Sequence, residues 1–135
     1  MRQMPDYRLG VQLSGPEKIS YRHSEMIQKK LYSDIFRGTA IGEKVHKDKY
    51  SLFTYSILAD KPRFDADGYA STNGQWIFRF ASAYRDLLSL LESELQARPE
   101  IDLLGEGTLF EIKGIYREPL LNRNIFQAQP ILAIS

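Results

Sequence analysis

Apolar and polar positions along the chain change period several times, and each change marks the start of an element. Tyr7, Leu9, Val11 and Leu13 alternate with Arg8, Gly10 and Gln12, the two-residue period of a strand with one face on a core. Ser14-Gly15-Pro16 ends it in a turn. From Ser20 the spacing lengthens: Ile27, Leu31 and Ile35 recur every fourth residue, and Tyr32 and Phe36 widen the stripe. That spacing predicts an amphipathic helix over 20–36, with Lys29 and Lys30 on its wet side and Gly38 as a left-handed cap. Residues 51–58 are aromatic and β-branched and predict a second strand. Asp60 to Gly68 reads as a polar connection. Within it, Asp65-Ala66-Asp67-Gly68 resembles the start of a calcium loop but lacks the downstream ligands of an EF-hand, so it reads as a turn.

Asn73-Gly74 is the strongest short hairpin signal in the chain and predicts that the strand before it pairs antiparallel with the one after it. That third strand is Trp76-Ile77-Phe78-Arg79-Phe80, with Trp76, Phe78 and Phe80 on one face. Tyr84, Leu87, Leu88, Leu91 and Leu95 form the stripe of a second helix over 83–97, stopped by Arg98-Pro99. Gly105-Glu106-Gly107 leads into a strand rather than a helix, so it is a loop and not a phosphate-binding fingerprint. Residues 108–117 alternate again as a fourth strand, with Phe110, Ile112 and Gly114 expected on one side and Glu111 and Lys113 on the other. Ile125 to Ile134 is apolar almost throughout and reads as a strand-like extension.

Strand, helix, strand, strand, helix, strand is the order of an α+β ferredoxin-like fold: a four-stranded antiparallel sheet with two helices on one face, here with the C-terminal extension. At 135 residues the chain has the length of one domain. Such a scaffold carries enzymes, regulators and RNA binders alike, so function has to come from particular residues.

The chain has no cysteine, which excludes disulfides, thiolate metal sites and cysteine nucleophiles. Its two histidines, His23 and His46, are too few for a histidine-rich metal site; no metal or cofactor is expected. No stretch reaches the roughly 18 apolar residues a membrane span needs, and no secretory leader opens the chain, which reads as cytoplasmic. Residues 1–50 hold ten Lys and Arg against six Asp and Glu, while the remainder holds eight against eleven. A field of that shape draws a polyanion to one side. The candidate chemistry lies in the basic half, in Gly42-Glu43-Lys44-Val45-His46-Lys47-Asp48-Lys49-Tyr50. There an imidazole that titrates near neutrality sits among three lysines.

Several stretches together, in order, resemble a known family. They are Ile19-Ser20-Tyr21-Arg22-His23, Gln28-Lys29-Lys30-Leu31-Tyr32, Val45-His46-Lys47, Leu52-Phe53-Thr54-Tyr55-Ser56, Trp76-Ile77-Phe78-Arg79-Phe80, Phe110-Glu111-Ile112-Lys113 and Arg117-Glu118-Pro119. The set is similar to the N-terminal domain of the CRISPR-associated endoribonucleases of the RAMP superfamily, which cut precursor CRISPR RNA within its repeats. The resemblance runs from Ile19 to Ile134. It implies metal-independent cleavage by 2′-hydroxyl attack, giving a 2′,3′-cyclic phosphate and a 5′-hydroxyl end. It also implies a general acid or base at His46, assisted by Tyr32 on the first helix. Ser51 stands where the family's assisting lysine falls, so Lys49 or Lys47 would have to reach in, with Lys49 taken for the role. Lys44, Lys47 and Arg37 are the candidate RNA-binding cations. CRISPR repeat RNA is the implied partner, together with a second ferredoxin-like domain, other CRISPR subunits or a second copy of the chain. Family members carry two such domains, and the sequence reads as the N-terminal half. The alternatives are a non-catalytic RNA-binding or assembly module and, further off, a small-molecule regulatory domain of the same fold.

Overall fold

The computed structural model describes residues 7–37 and 53–120. The first strand, β1 (Tyr7–Ser14), forms where the alternation begins and takes the centre of the main sheet. A two-residue strand, β2 (Lys18–Ile19), leads into α1 (His23–Lys30). The helix starts later than residue 20 because Ser20 is used for a turn: its hydroxyl accepts the Arg22 N–H at 3.0 Å and its carbonyl accepts the His23 N–H at 3.1 Å. After Lys30 the coil widens into a π turn over Leu31–Ile35, closed by the Phe36 N–H on the Leu31 carbonyl at 2.8 Å. The Ser33 hydroxyl donates to the Lys29 carbonyl at 2.6 Å within the same stretch, a back-bond that loosens helical backbone. Ile27, Leu31, Ile35 and Phe36 all reach the core as the spacing predicts. Lys30 does not lie on the wet side; its side chain is 17% exposed and pairs with Asp34 at 2.7 Å.

β3 (Phe53–Ala59) pairs antiparallel with β6 (Gln75–Ser82) from Phe53↔Ser82 to Ala59↔Trp76. The connection between them is more than a loop. β4 (Pro62–Asp65) and β5 (Gly68–Ser71) form a hairpin across the turn at Ala66-Asp67, and β2 pairs with β5 to complete a small sheet in the order β2-β5-β4. The Asn73-Gly74 turn therefore joins β5 to β6, not β3 to β6. Its geometry is fixed by Ser71, fully buried, whose hydroxyl donates to the Asp60 carbonyl at 2.6 Å and accepts the Gln75 N–H at 3.2 Å.

α2 (Arg85–Gln96) follows, then the short β7 (Glu100–Ile101) and the long β8 (Phe110–Pro119). The main sheet runs β3-β6-β1-β8-β7. Its first four members have the ferredoxin-like order, and β7 makes it five-stranded rather than four-stranded. Leu87, Leu88, Leu91 and Leu95 of α2 join Ile27 of α1 and Leu31 of the π turn over Leu9, Val11, Leu13, Phe78 and Phe80, so both helices cover one face. Trp76 is buried in this layer with its indole N–H donated to the Pro16 carbonyl at 2.8 Å.

β8 departs from simple alternation. Gln12 pairs with Gly114 but Leu13 pairs with Ile112, which leaves Lys113 as an extra, bulged residue. Phe110, Ile112 and Ile115 stay on the core side, whereas Gly114, expected beside Phe110 and Ile112, falls on the opposite face with Tyr116 and Glu118. The C-terminal extension of residues 125–134 lies outside the described residues. Among the described residues no helix is long and apolar enough to cross a membrane.

Candidate functional site

Tyr32 sits in the π turn at the end of α1, and its ring packs on Phe53, the first residue of β3, with centroids 5.4 Å apart. Phe53 in turn stacks on Phe80 at 5.2 Å and lies 5.9 Å from Phe36. The two ends from which residues 38–52 depart and return are thus fastened through one aromatic cluster. Arg37 is exposed at the departing end. His46, Lys49, Lys44 and Lys47, the remaining candidates, lie outside the described residues.

A second phenol, Tyr55, stands beside Tyr32. Burial, with the nearby Tyr32 phenol adding to it, holds the Tyr55 hydroxyl above its usual titration range. It keeps its proton and donates it to the Ser24 carbonyl at 2.7 Å, tying β3 to α1. His23 is accounted for locally: its Nδ1 lies 2.8 Å from the Ser20 carbonyl, and its ring is tilted against Tyr69 with centroids 5.8 Å apart.

The face of the sheet away from the helices holds residues that the sequence reading did not single out. Arg8 Nε and Arg79 Nε lie 3.2 Å and 3.1 Å from the same Glu118 oxygen, and Arg79 also reaches the second carboxylate oxygen at 3.5 Å. Space for this crossing comes from Gly10, where a Cβ would stand 2.7 Å from Glu118 Oε1. A Cβ on Gly114 would meet the Tyr116 hydroxyl at 2.7 Å, so that phenol folds back along its own strand over bare backbone. The alternation in the sequence already puts Arg8, Gly10 and Gln12 on one face. Which residues lie across from them depends on long-range pairings, with β6 on one side and, on the other, with β8, where Arg8 and Glu118 are 110 residues apart in sequence.

The fold has been seen before. A solved structure titled CRISPR associated protein Cas6 superposes with a TM-score of 0.67 at 16% identity, over 87% of this chain and 50% of that one. "An RAMP protein binding different RNA substrates" follows with a TM-score of 0.59 and 16% identity, over 82% of this chain and 48% of that one. A protein characterised from a Cas6-related gene of Pyrococcus furiosus gives 0.55 and 14%, over 82% and 47%. The chain spans about half the length of these structures (50%, 48% and 47%). No protein-family profile and no curated protein sequence matches it. The chain thus has a ferredoxin-like fold, similar in architecture to about half of each of these solved structures.

Proposed function

We propose that this chain is a repeat-RNA-processing domain, the N-terminal half of a two-domain ribonuclease. It cuts CRISPR repeat RNA by attack of a 2′-hydroxyl on the adjacent phosphorus. The observation that carries the reading is the superposition of 87% of the chain on half of a Cas6 structure, with Tyr32 packed at the anchor of the segment that holds His46. In the reaction the 2′-hydroxyl loses its proton as its oxygen bonds to phosphorus. The bond to the 5′-oxygen breaks, and that oxygen takes up a proton. A histidine near neutral pH can serve either transfer, a contribution on the order of 10²–10⁴ in rate. Tyr32 and Lys49 supply a donor and a fixed positive charge to the non-bridging oxygens, and Lys44, Lys47 and Arg37 hold the flanking phosphates.

Labelled CRISPR repeat RNAs incubated with the chain in EDTA test this. Cyclic-phosphate ends that disappear in His46→Ala support it, and unchanged cutting by that variant refutes the assignment. Because half the length of the similar structures is not spanned, the assay is run with and without a second ferredoxin-like domain supplied in trans.

One observation favours the non-catalytic alternative: Ser51 stands where the family's assisting lysine falls. Equal repeat-RNA binding by the wild type and His46→Ala, with no cleavage even when the second domain is present, establishes an RNA-binding or assembly module instead.

A further inference from the structure

We propose that the open face of the main sheet carries a one-nucleotide subsite for single-stranded RNA, in which Tyr116 stacks the base and Arg8 and Arg79 take the phosphate in exchange for Glu118. The proposal rests on the RNA reading above but uses none of its catalytic residues.

The sheet register sets the subsite out. Arg79 and Tyr116 both stand opposite Gly10, one on each side of β1. Their backbones are therefore two strand spacings apart, roughly 10 Å. Between them the carboxylate of Glu118 reaches over Gly10. On the far side of Arg79 a groove of about 270 Å³ is lined by Thr54, Ser56, Ala81 and the two arginines. An extended nucleotide and an arginine side chain together bridge that distance.

The charges around Gly10 favour an anion. Two guanidinium groups share one carboxylate, so one positive charge is in excess, and it is partly shielded from water: the side chains of Arg79, Glu118 and Arg8 are 14%, 22% and 30% exposed. A cation held in such a groove attracts an anion more strongly than one on an open surface. A guanidinium pairs with phosphate as readily as with carboxylate, so a phosphodiester can take the place of Glu118 without a change of geometry. Glu118 then acts as an internal competitor that keeps the site shut to weak anions.

The aromatic half is equally specific. Tyr116 is 52% exposed on a sheet face, a place where an aromatic ring gains nothing from the core. It is also pre-positioned, because Gly114 lets it fold back and its hydroxyl lies 3.4 Å from Gln12 Oε1. Aromatic rings displayed on four-stranded sheets stack splayed-out bases of single-stranded RNA.

Binding of short single-stranded RNA and of repeat RNA across a salt series tests the subsite. Tyr116→Ala should weaken binding by roughly 5- to 150-fold, the worth of one stacked base. Tyr116→Phe should bind like wild type. Glu118→Gln should bind more tightly, with a salt slope steeper by up to about 0.7 for the extra phosphate contact. Ultraviolet cross-linking to halogenated uridine should place a labelled peptide at Tyr116. If wild type and His46→Ala bind RNA but Tyr116→Ala and Glu118→Gln match them, the subsite is overturned while the RNA reading stands. Equal losses in Tyr116→Phe and Tyr116→Ala overturn stacking. Weakened self-association in Tyr116→Ala with unaltered RNA affinity also overturns the proposal, making the face a contact between copies. No RNA binding by wild type at low salt removes the RNA reading and the subsite with it. Because Tyr116 is half-exposed and outside the core, its variants stay folded and keep the test decisive even if Glu118→Gln does not.

Discussion

The ring of Tyr32 packs against that of Phe53 at 5.4 Å and 48°, across the two ends of the segment that carries His46. The same residue therefore belongs to the core edge and to the candidate active site, and its two roles separate by substitution. Tyr32→Phe keeps the ring contact and should cost no more than about 1 kcal/mol in urea melts. In the cleavage assay it should lose roughly 10²-fold or more, if the phenol donates to the reacting phosphate. Tyr32→Ala should add a stability loss on the order of 1–3 kcal/mol from apolar area and ring pairing. A Tyr32→Phe variant that cuts at the wild-type rate leaves Tyr32 as a packing residue only.

Two glycines of the main sheet region look alike by the space they lack but should behave differently. A Cβ at Gly15 would lie 2.6 Å from the ring of Phe110, which is fully buried and packed against Trp76 at 6.4 Å. That ring cannot move aside, so Gly15→Ala should cost about 1–3 kcal/mol. At Gly10 the obstacle is the end of the Glu118 side chain, at 2.7 Å, which can swing away. Gly10→Ala should leave the midpoint of denaturation nearly unchanged. Equal losses at the two sites would contradict this account.

Acid should loosen the small sheet before the large one. Arg63 and then Lys18 hold the Asp65 carboxylate below its usual range, and Lys18 does the same for Asp67. Groups whose folded pKa is depressed contribute stability above their unfolded value, about 3.9 for aspartate, and that contribution is lost as pH falls through the folded value. The cluster is exposed, so its effect is small and sensitive to salt. Asp65→Asn should be slightly less stable than wild type above about pH 4 and should flatten the acid limb below it, the two curves meeting only once the pH is below the folded value of Asp65. An unaltered acid limb in that variant would remove the ion cluster from the account.

The bulge in β8 makes a prediction about deletions. Because Lys113 has no partner in β1, removing it leaves Ile112 and Ile115 on the core side and Gly114 and Tyr116 on the open side. Removing Ile115 instead moves every later side chain to the wrong face, placing Tyr116 inward and Arg117 outward. The chain lacking Lys113 should fold, by circular dichroism and a cooperative urea transition, and the chain lacking Ile115 should not.

The same bulge shows where sequence reading stopped. Alternation from Phe110 gives the strand, and period alone then places Gly114 on the core side; the extra residue that reverses it is visible only in the pairing with Gln12 and Leu13. The β4–β5 hairpin was hidden for a related reason. Pro62, Asp65 and Gly68 carry turn chemistry, and β5 is buried at every position, so no period-2 signal survives. Element order and the core stripes of both helices were legible because a long apolar face repeats its spacing many times. Of the proposed site, Tyr32 could be placed through the apolar stripe that runs from α1 into the π turn. Arg8, Arg79 and Glu118 could not, since nothing local ties together three strands so far apart in sequence.

β1 is the first of the described strands in chain order and the one that ends up in the middle, flanked by β6 and β8. Emerging from a ribosome, it has no neighbour until Gln75 to Ser82 are exposed, and its other edge waits for Phe110 to Pro119. Long-range pairings of this kind carry a large loop-closure cost and slow folding. A nascent chain paused before β8 would present the inner edge of its central strand to whatever is nearby, so the ten residues Phe110 to Pro119 cover an edge that would otherwise invite pairing with another chain.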